Sequence, residues 1–376
     1  MKKILIISPA YPLRGGIAAS SERLALEFQT QGHEVEILSF SLQYPAFLFP
    51  GTSQISQDAA PDLKINTKLN SINPLNWLLM GLQYRKKHKQ QKYNLIICRF
   101  WLPFMAPCLG TILRFFPKNI PIIAITDNIV PHEKRIGDTL FARYFLSACD
   151  AIVTMSNAVL ADAKKLAPTK QHHYHPHPIY DNYGEIIEQH IAQQQLKLDS
   201  NYKYLLFFGF IRAYKGLDLL LLALSHNLLK NKQLKLIIAG EFYENQEKYE
   251  AIIRKYDLEN QIIRATHFIP NTEVGLYFSA ADLIVQPYKS ATQSGVSQVA
   301  YHFEKPIIVT DVGGLSEIIT HNKVGYVVPV DADAIAEAIR DFFDNNRNIT
   351  FTNNLKIEKK KFAWSSMVAL LLNIKK

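Results

Sequence analysis

Residues Leu205 to Leu224 read LLFFGFIRAYKGLDLLLLAL. An apolar run without polar alternation ends at Gly209, a short loop carries Arg212 and Lys215, and an apolar helix begins after Gly216. A strand that is apolar on both faces belongs in a parallel sheet covered by helices. Two cations just beyond the carboxyl end of such a strand stand where open α/β sheets bind their ligands, and a diphosphate needs both fixed charge and close backbone approach. Taken alone, the same two residues also read as surface cations on a loop.

Working outward from this segment, short runs of Ile, Leu and Val alternate with helical stretches over most of the chain. Downstream runs fall at Leu234–Gly240, Ile262–Phe268, Leu283–Gln286, Pro306–Thr310 and Gly325–Pro329, after the one at Tyr204–Phe208. Upstream runs fall at Lys3–Ser8, Glu34–Ser39, Leu95–Arg99, Pro121–Thr126 and Ala151–Met155, with helices expected over Ile17–Gln31 and Asp138–Ala148. The alternation predicts an α/β chain with two parallel-sheet domains, and 376 residues exceed what one core usually serves. The expected bounds are 1–185 for the first domain, a Gln- and Glu-rich connection over 186–201, and 202–350 for the second. A helical tail over 351–376, with apolar and basic residues at helical spacing, is expected to pack back toward the first domain.

Composition narrows the function. With 48% hydrophobic and 20% charged residues the chain is an ordinary folded one, which excludes a disordered or low-complexity protein. The net charge of +9 favours an anionic partner. The cations are spread among loops and one helix end without a recognition module, so nucleic acid is not expected. Cys98, Cys108 and Cys149 lack metal spacing, and their odd, sparse number fits a reducing compartment, so a cytoplasmic protein is expected. The opening MKKILIISPAYP has too short an apolar run for a signal peptide and reads as a first strand. The run of histidines in QHHYHPHP, Gln171 to Pro178, is too closely spaced along one extended segment for a tetrahedral metal site. Asn73 to Lys92, NPLNWLLMGLQYRKKHKQQK, joins an apolar half to a basic half. It reads as a peripheral contact with the inner face of a membrane, or as a core-packed helix with a solvated basic end.

Two further segments have the composition of ligand loops. SPAYPLRGGIAASS, Ser8 to Ser21, leaves a strand, passes Gly15 and Gly16, and enters a helix whose small first turn exposes backbone N–H groups at the positive end of the dipole. It suits a phosphate or a sugar, or is simply a tight turn. AADLIVQPYKSATQSGVSQVAYHFEKPIIVTDVGGLSEII, Ala280 to Ile319, places Gln293, Ser294 and Gly295 before a helix and Glu317 after a glycine pair. The former can bind phosphate oxygens; the latter can accept from a ribose or sugar hydroxyl, or complement its own helix dipole.

Together with ITDNIVPHEKR, PHPIYD, IIAGEFYE and VGYVVPV, these phrases resemble the family-four glycosyltransferases of the GT-B superfamily over nearly the whole chain. The resemblance implies two Rossmann-like domains facing a cleft and a nucleoside-diphosphate-sugar donor. It further implies transfer to a glycan or polyprenyl-linked acceptor with retention of anomeric configuration. It implies no metal and no other cofactor, because protein cations and helix N-termini stabilise the departing diphosphate. Carried over by residue, Arg212 and Lys215 form the diphosphate pair, and Gly15 and Gly16 the amino-terminal glycine loop. The family's paired glutamates would fall at Ala291 and Val299, so Gln293 to Val296 is read as a substitute donor loop. Where the family often has a histidine this chain has Asp127, a sugar- or acceptor-contacting group or base, with His132 as the nearby titratable alternative. The missing glutamates and Asp127 leave open a non-catalytic nucleotide-sugar-binding or scaffold subunit, and a second rival is a sugar-nucleotide epimerase or phosphorylase on the same fold.

Overall fold

The computed structural model describes residues 1–45, 54–56, 59–131, 137–230, 232–291 and 294–375. The chain divides into two compact units, Met1–His177 with Trp364–Lys376, and Pro178–Ala363.

In the first unit the strands are β1 (Lys3–Ile7), β2 (Glu34–Leu42), β3 (Ile65–Asn70), β4 (Leu95–Phe100), β5 (Ile122–Thr126), β6 (Ala151–Thr154) and β7 (Gln171–Tyr174). Its helices are α1 (Gly16–Thr30), α2 (Pro74–Gln91), α3 (Ala106–Leu113), α4 (Asp138–Ser147) and α5 (Asn157–Leu166). The seven strands are parallel, in the order β3-β2-β1-β4-β5-β6-β7. Every residue of β4 and β5 is buried, as central strands covered on both faces should be. The two strands that the apolar pattern does not reveal are both at edges: β3 reads INTKLN and β7 reads QHHY. Edge strands carry polar residues because one side lacks a neighbour. The histidine run is therefore partly sheet, with His172 in register with Ile152 and His173 with Val153. His175 is held by Ser366 Oγ at 2.8 Å and the Pro176 carbonyl at 2.6 Å.

The second unit begins with α6 (Gln189–Gln195) and continues through β8 (Lys203–Phe208), α7 (Leu217–Leu224), β9 (Leu234–Ala239), α8 (Glu247–Lys255), β10 (Ile262–Ala265) and α9 (Asn271–Ala280). It goes on through β11 (Leu283–Gln286), α10 (Gly295–His302), β12 (Ile307–Thr310), α11 (Leu315–Ile318), β13 (Gly325–Val328), α12 (Ala332–Asp344) and α13 (Arg347–Glu358). Its six parallel strands run β10-β9-β8-β11-β12-β13. Numbered within each unit, both sheets follow the doubly wound order 3-2-1-4-5-6, the first unit adding a seventh strand at its edge. The order reverses between β1 and β4 in one sheet and between β8 and β11 in the other, and ligands of such sheets bind at the carboxyl ends there.

Two segments differ from their composition. Within 186–201, α6 packs on α9, and the side-chain amides of Gln189 and Gln193 donate to the Ala280 carbonyl at 3.2 and 3.1 Å. A Gln-rich stretch thus lies inside the second unit, because its carboxamides satisfy the buried carboxyl end of α9 while Ala192 is itself buried. Within 351–376, Phe351 and Leu355 of α13 enter the second unit's core, whereas α14 (Trp364–Asn373) lies on α1, with Arg23 5.7 Å from the Trp364 ring.

Candidate functional site

At the carboxyl end of β8 the chain turns through Gly209 at φ +100°, a conformation that favours glycine. The loop carries Arg212, makes a single tight turn over Ala213–Lys215, and enters α7 through Gly216 at φ +70°. A Cβ on Gly216 would stand 1.9 Å from the Pro287 carbonyl oxygen, so the loops after β8 and β11 touch at the point where strand order reverses. The Lys289 amide donates to the Tyr214 carbonyl at 2.6 Å and locks them together. Lys215 is 9% exposed and its ammonium lies 5.5 Å from the Tyr288 ring centroid. Among the described residues it has no carboxylate partner. Burying a cation without a counter-charge is costly, and a bound anion would remove that cost.

The amino terminus of α10 is held from below. Gln286, at the end of β11 and 1% exposed, donates to the Ser294 hydroxyl at 2.7 Å and accepts from Ser297 at 2.6 Å. Ser294 in turn caps the helix by accepting from the Val296 amide at 3.3 Å. Gly295 is needed because a Cβ there would lie 2.7 Å from the Tyr180 ring. A Cβ on Gly209 would be 2.9 Å from the Lys215 ammonium and 3.9 Å from Val296. The buried ammonium and the first turn of α10 therefore flank one glycine, and both are positive. Arg212 is half-buried, its guanidinium 5.0 Å from the Tyr243 ring on the loop after β9. Glu317 is exposed on α11 beyond β12, the next strand of the sheet. Gln293 lies outside the described residues. At the positions of the family's glutamate pair, Val299 is buried in α10 at 4% exposure and Ala291 offers no polar group.

The first unit's switch point is arranged differently. Gly15, at φ +120°, caps α1, and a Cβ there would meet nothing within 4 Å. Asp127 follows β5, and both of its oxygens are engaged by Arg99 of β4, Oδ2 by Nε at 2.7 Å and Oδ1 by an NH2 group at 2.6 Å. The remaining guanidinium nitrogen donates to Ser20 of α1 at 2.7 Å. This is a bidentate, nearly water-free ion pair, with Arg99 3% exposed. It fits a fixed counter-ion better than a proton acceptor. Arg99 was not singled out in the sequence, although it is a cation at the carboxyl end of an apolar strand, the signal that marks Arg212 and Lys215. His132 lies outside the described residues.

Residues 188–362 match the family described as Glycosyl transferases group 1, and residues 14–178 match Glycosyltransferase Family 4. The chain belongs to this glycosyltransferase family. An uncharacterized glycosyltransferase of Methanocaldococcus jannaschii is 22% identical, covering 100% of this chain and 98% of its own length. The O-antigen chain mannosyltransferase C of Escherichia coli is 25% identical over 78% of each chain. Among solved structures, Thermosynechococcus elongatus sucrose-phosphate synthase superposes with a TM-score of 0.73 at 18% identity, covering 99% of this chain and 97% of that one. Anabaena HepE in complex with UDP-glucose gives 0.73 at 16% identity, covering 99% and 98%. The fold is GT-B, and the protein is a nucleotide-sugar-dependent glycosyltransferase.

Proposed function

We propose that the enzyme transfers a sugar, with retention of anomeric configuration, from a nucleoside-diphosphate sugar held on the second unit to a glycan or polyprenyl-linked acceptor. The donor's diphosphate is gripped by Lys215, Arg212 and the amide groups of the Gln293–Gly295 loop at the head of α10. Glu317 serves the ribose or sugar hydroxyls. Gly15 and Gly16 serve as a donor-binding glycine loop, and Asp127, fixed by Arg99, accepts from a hydroxyl. The observation that carries this reading is the buried Lys215 ammonium, without a carboxylate partner among the described residues, beside the same glycine as the α10 amino terminus. As the bond from the anomeric carbon to the phosphate oxygen breaks, charge grows on the diphosphate, and fixed donors and cations stabilise it most there. With that charge met by protein groups, no metal is required. A same-face attack, in which the acceptor hydroxyl approaches as the diphosphate departs, gives retention.

Incubating the enzyme with a panel of nucleotide sugars and extracted polyprenyl-linked glycans, with products read by mass spectrometry and the anomeric proton by NMR, tests this reading. A product one sugar heavier, with the donor's anomeric configuration and formed equally in EDTA, is the expected result. Inversion, or strict dependence on a divalent cation, would contradict the mechanism.

A further inference from the structure

The helix α2 is apolar on two sides. Its inner side carries Gly81 and Tyr84, both buried, with Trp77 and Met80 packed against the core. Its outer side carries Leu75, Leu78, Leu79 and Leu82, which are 70%, 44%, 61% and 54% exposed. Their spacing of three, four and seven residues sets them in one stripe. A single exposed leucine is unremarkable, but an aligned stripe marks a binding surface. The same stripe continues through Arg85, Lys86 and Lys89, all exposed. No Asp or Glu occurs anywhere in the helix. On the same side of the sheet α3 touches both α2 and α4, and α4 presents Leu140 and Phe141 outward at 70% and 40% exposure.

We propose that this face of the first unit docks on an anionic lipid bilayer, with α2 lying in the interfacial plane, its leucines among the acyl-chain ends and its cations on lipid phosphates. The charge pattern selects this occupant. Two copies joined through the stripe would set ammonium against ammonium when parallel, and leucine against ammonium when antiparallel. A bilayer interface accepts leucine and cation side by side. No helix among the described residues is long and apolar enough to cross a membrane, so the contact is one of adsorption. The inference is independent of the donor reading, since adsorption needs no nucleotide sugar.

Co-sedimentation of the full chain with vesicles of phosphatidylcholine, alone or mixed with phosphatidylglycerol, tests it. The protein should pellet with the mixed vesicles and only weakly with phosphatidylcholine alone. The Leu78→Gln/Leu79→Gln pair, both at exposed positions, should leave the melting curve unchanged and weaken binding by about ten-fold or more. Replacing Arg85, Lys86 and Lys89 by Ala should remove the preference for anionic vesicles, at about five-fold per cation. Failure of the unmodified protein to pellet would overturn the proposal, as would leucine variants that bind undiminished. So would a dimer, seen in analytical ultracentrifugation, that the leucine pair dissociates while vesicle binding persists.

Discussion

At the carboxyl end of β4 the guanidinium of Arg99 meets Asp127 at 2.6 and 2.7 Å, while at the carboxyl end of the β8 loop the ammonium of Lys215 meets no carboxylate among the described residues. Both cations are buried, and both stand at the switch point of a sheet wound in the same order. In the first unit the charge is closed internally, and elsewhere in that unit Glu36, 2% exposed, is likewise met by Lys87, Tyr84 and Tyr93. In the second unit the Lys215 charge has no such internal match among the described residues, as the proposed donor site requires. Lys305, also buried there, differs again: its ammonium donates to the Ser279 and Ala281 carbonyls at 2.8 and 2.9 Å. One topology thus carries at its switch point a carboxylate-paired cation in one unit and, among the described residues, a cation without a carboxylate in the other.

The contrast is broken most severely by Lys215→Met, which keeps the side-chain volume and removes the charge. Turnover per donor encounter, kcat/KM, should fall by about 100- to 1,000-fold with folding intact by circular dichroism. Asp127→Asn strikes the other pair. It leaves Arg99 buried with a weakened partner, so urea denaturation should report a loss of about 3 kcal/mol, with nucleoside-diphosphate affinity unaltered. A milder distortion is Gly209→Ala, whose methyl would lie 2.9 Å from the Lys215 ammonium at a φ of +100°. Donor affinity should drop about ten-fold and stability by about 1–2 kcal/mol.

An effect on stability alone, with no change in donor binding, concerns Lys305. Burial pushes its ammonium down to about 8, with Asp282 opposing. Between that value and the ordinary 10.5 the unfolded chain binds a proton at this residue that the folded one does not, so the Lys305 contribution to stability rises with pH across this window. Urea denaturation at pH 8 and 10 should show the unmodified enzyme gaining stability relative to Lys305→Met, because the thiols of Cys98, Cys108 and Cys149, which burial pushes up, act the opposite way but equally in both proteins.

Much of this architecture was legible in the residues. The central strands of both sheets were readable because their burial on two faces makes them continuously apolar. The edge strands β3 and β7 were not, since polar INTKLN and QHHY carry no such signal. Lys215, Ser294 and Gly295 could be placed because a glycine, a cation and a small-residue helix start follow strands at the switch point. Arg99 was missed because its meaning depends on Asp127, 28 residues away, and an arginine ending an apolar run does not announce whether it is paired. The outward leucines of α2 were hidden for a related reason: a helix apolar on both sides has the same composition whichever side the sheet covers.

The central claim is that the second unit's buried Lys215 holds the donor's diphosphate, and calorimetric titration of the tightest-binding nucleoside diphosphate among UDP, GDP and ADP into the unmodified enzyme and Lys215→Met tests it most directly. The account predicts an affinity at least about ten-fold weaker in the variant, a loss of about 1.4 kcal/mol or more. Equal affinity in the two proteins, with both folded, would contradict it.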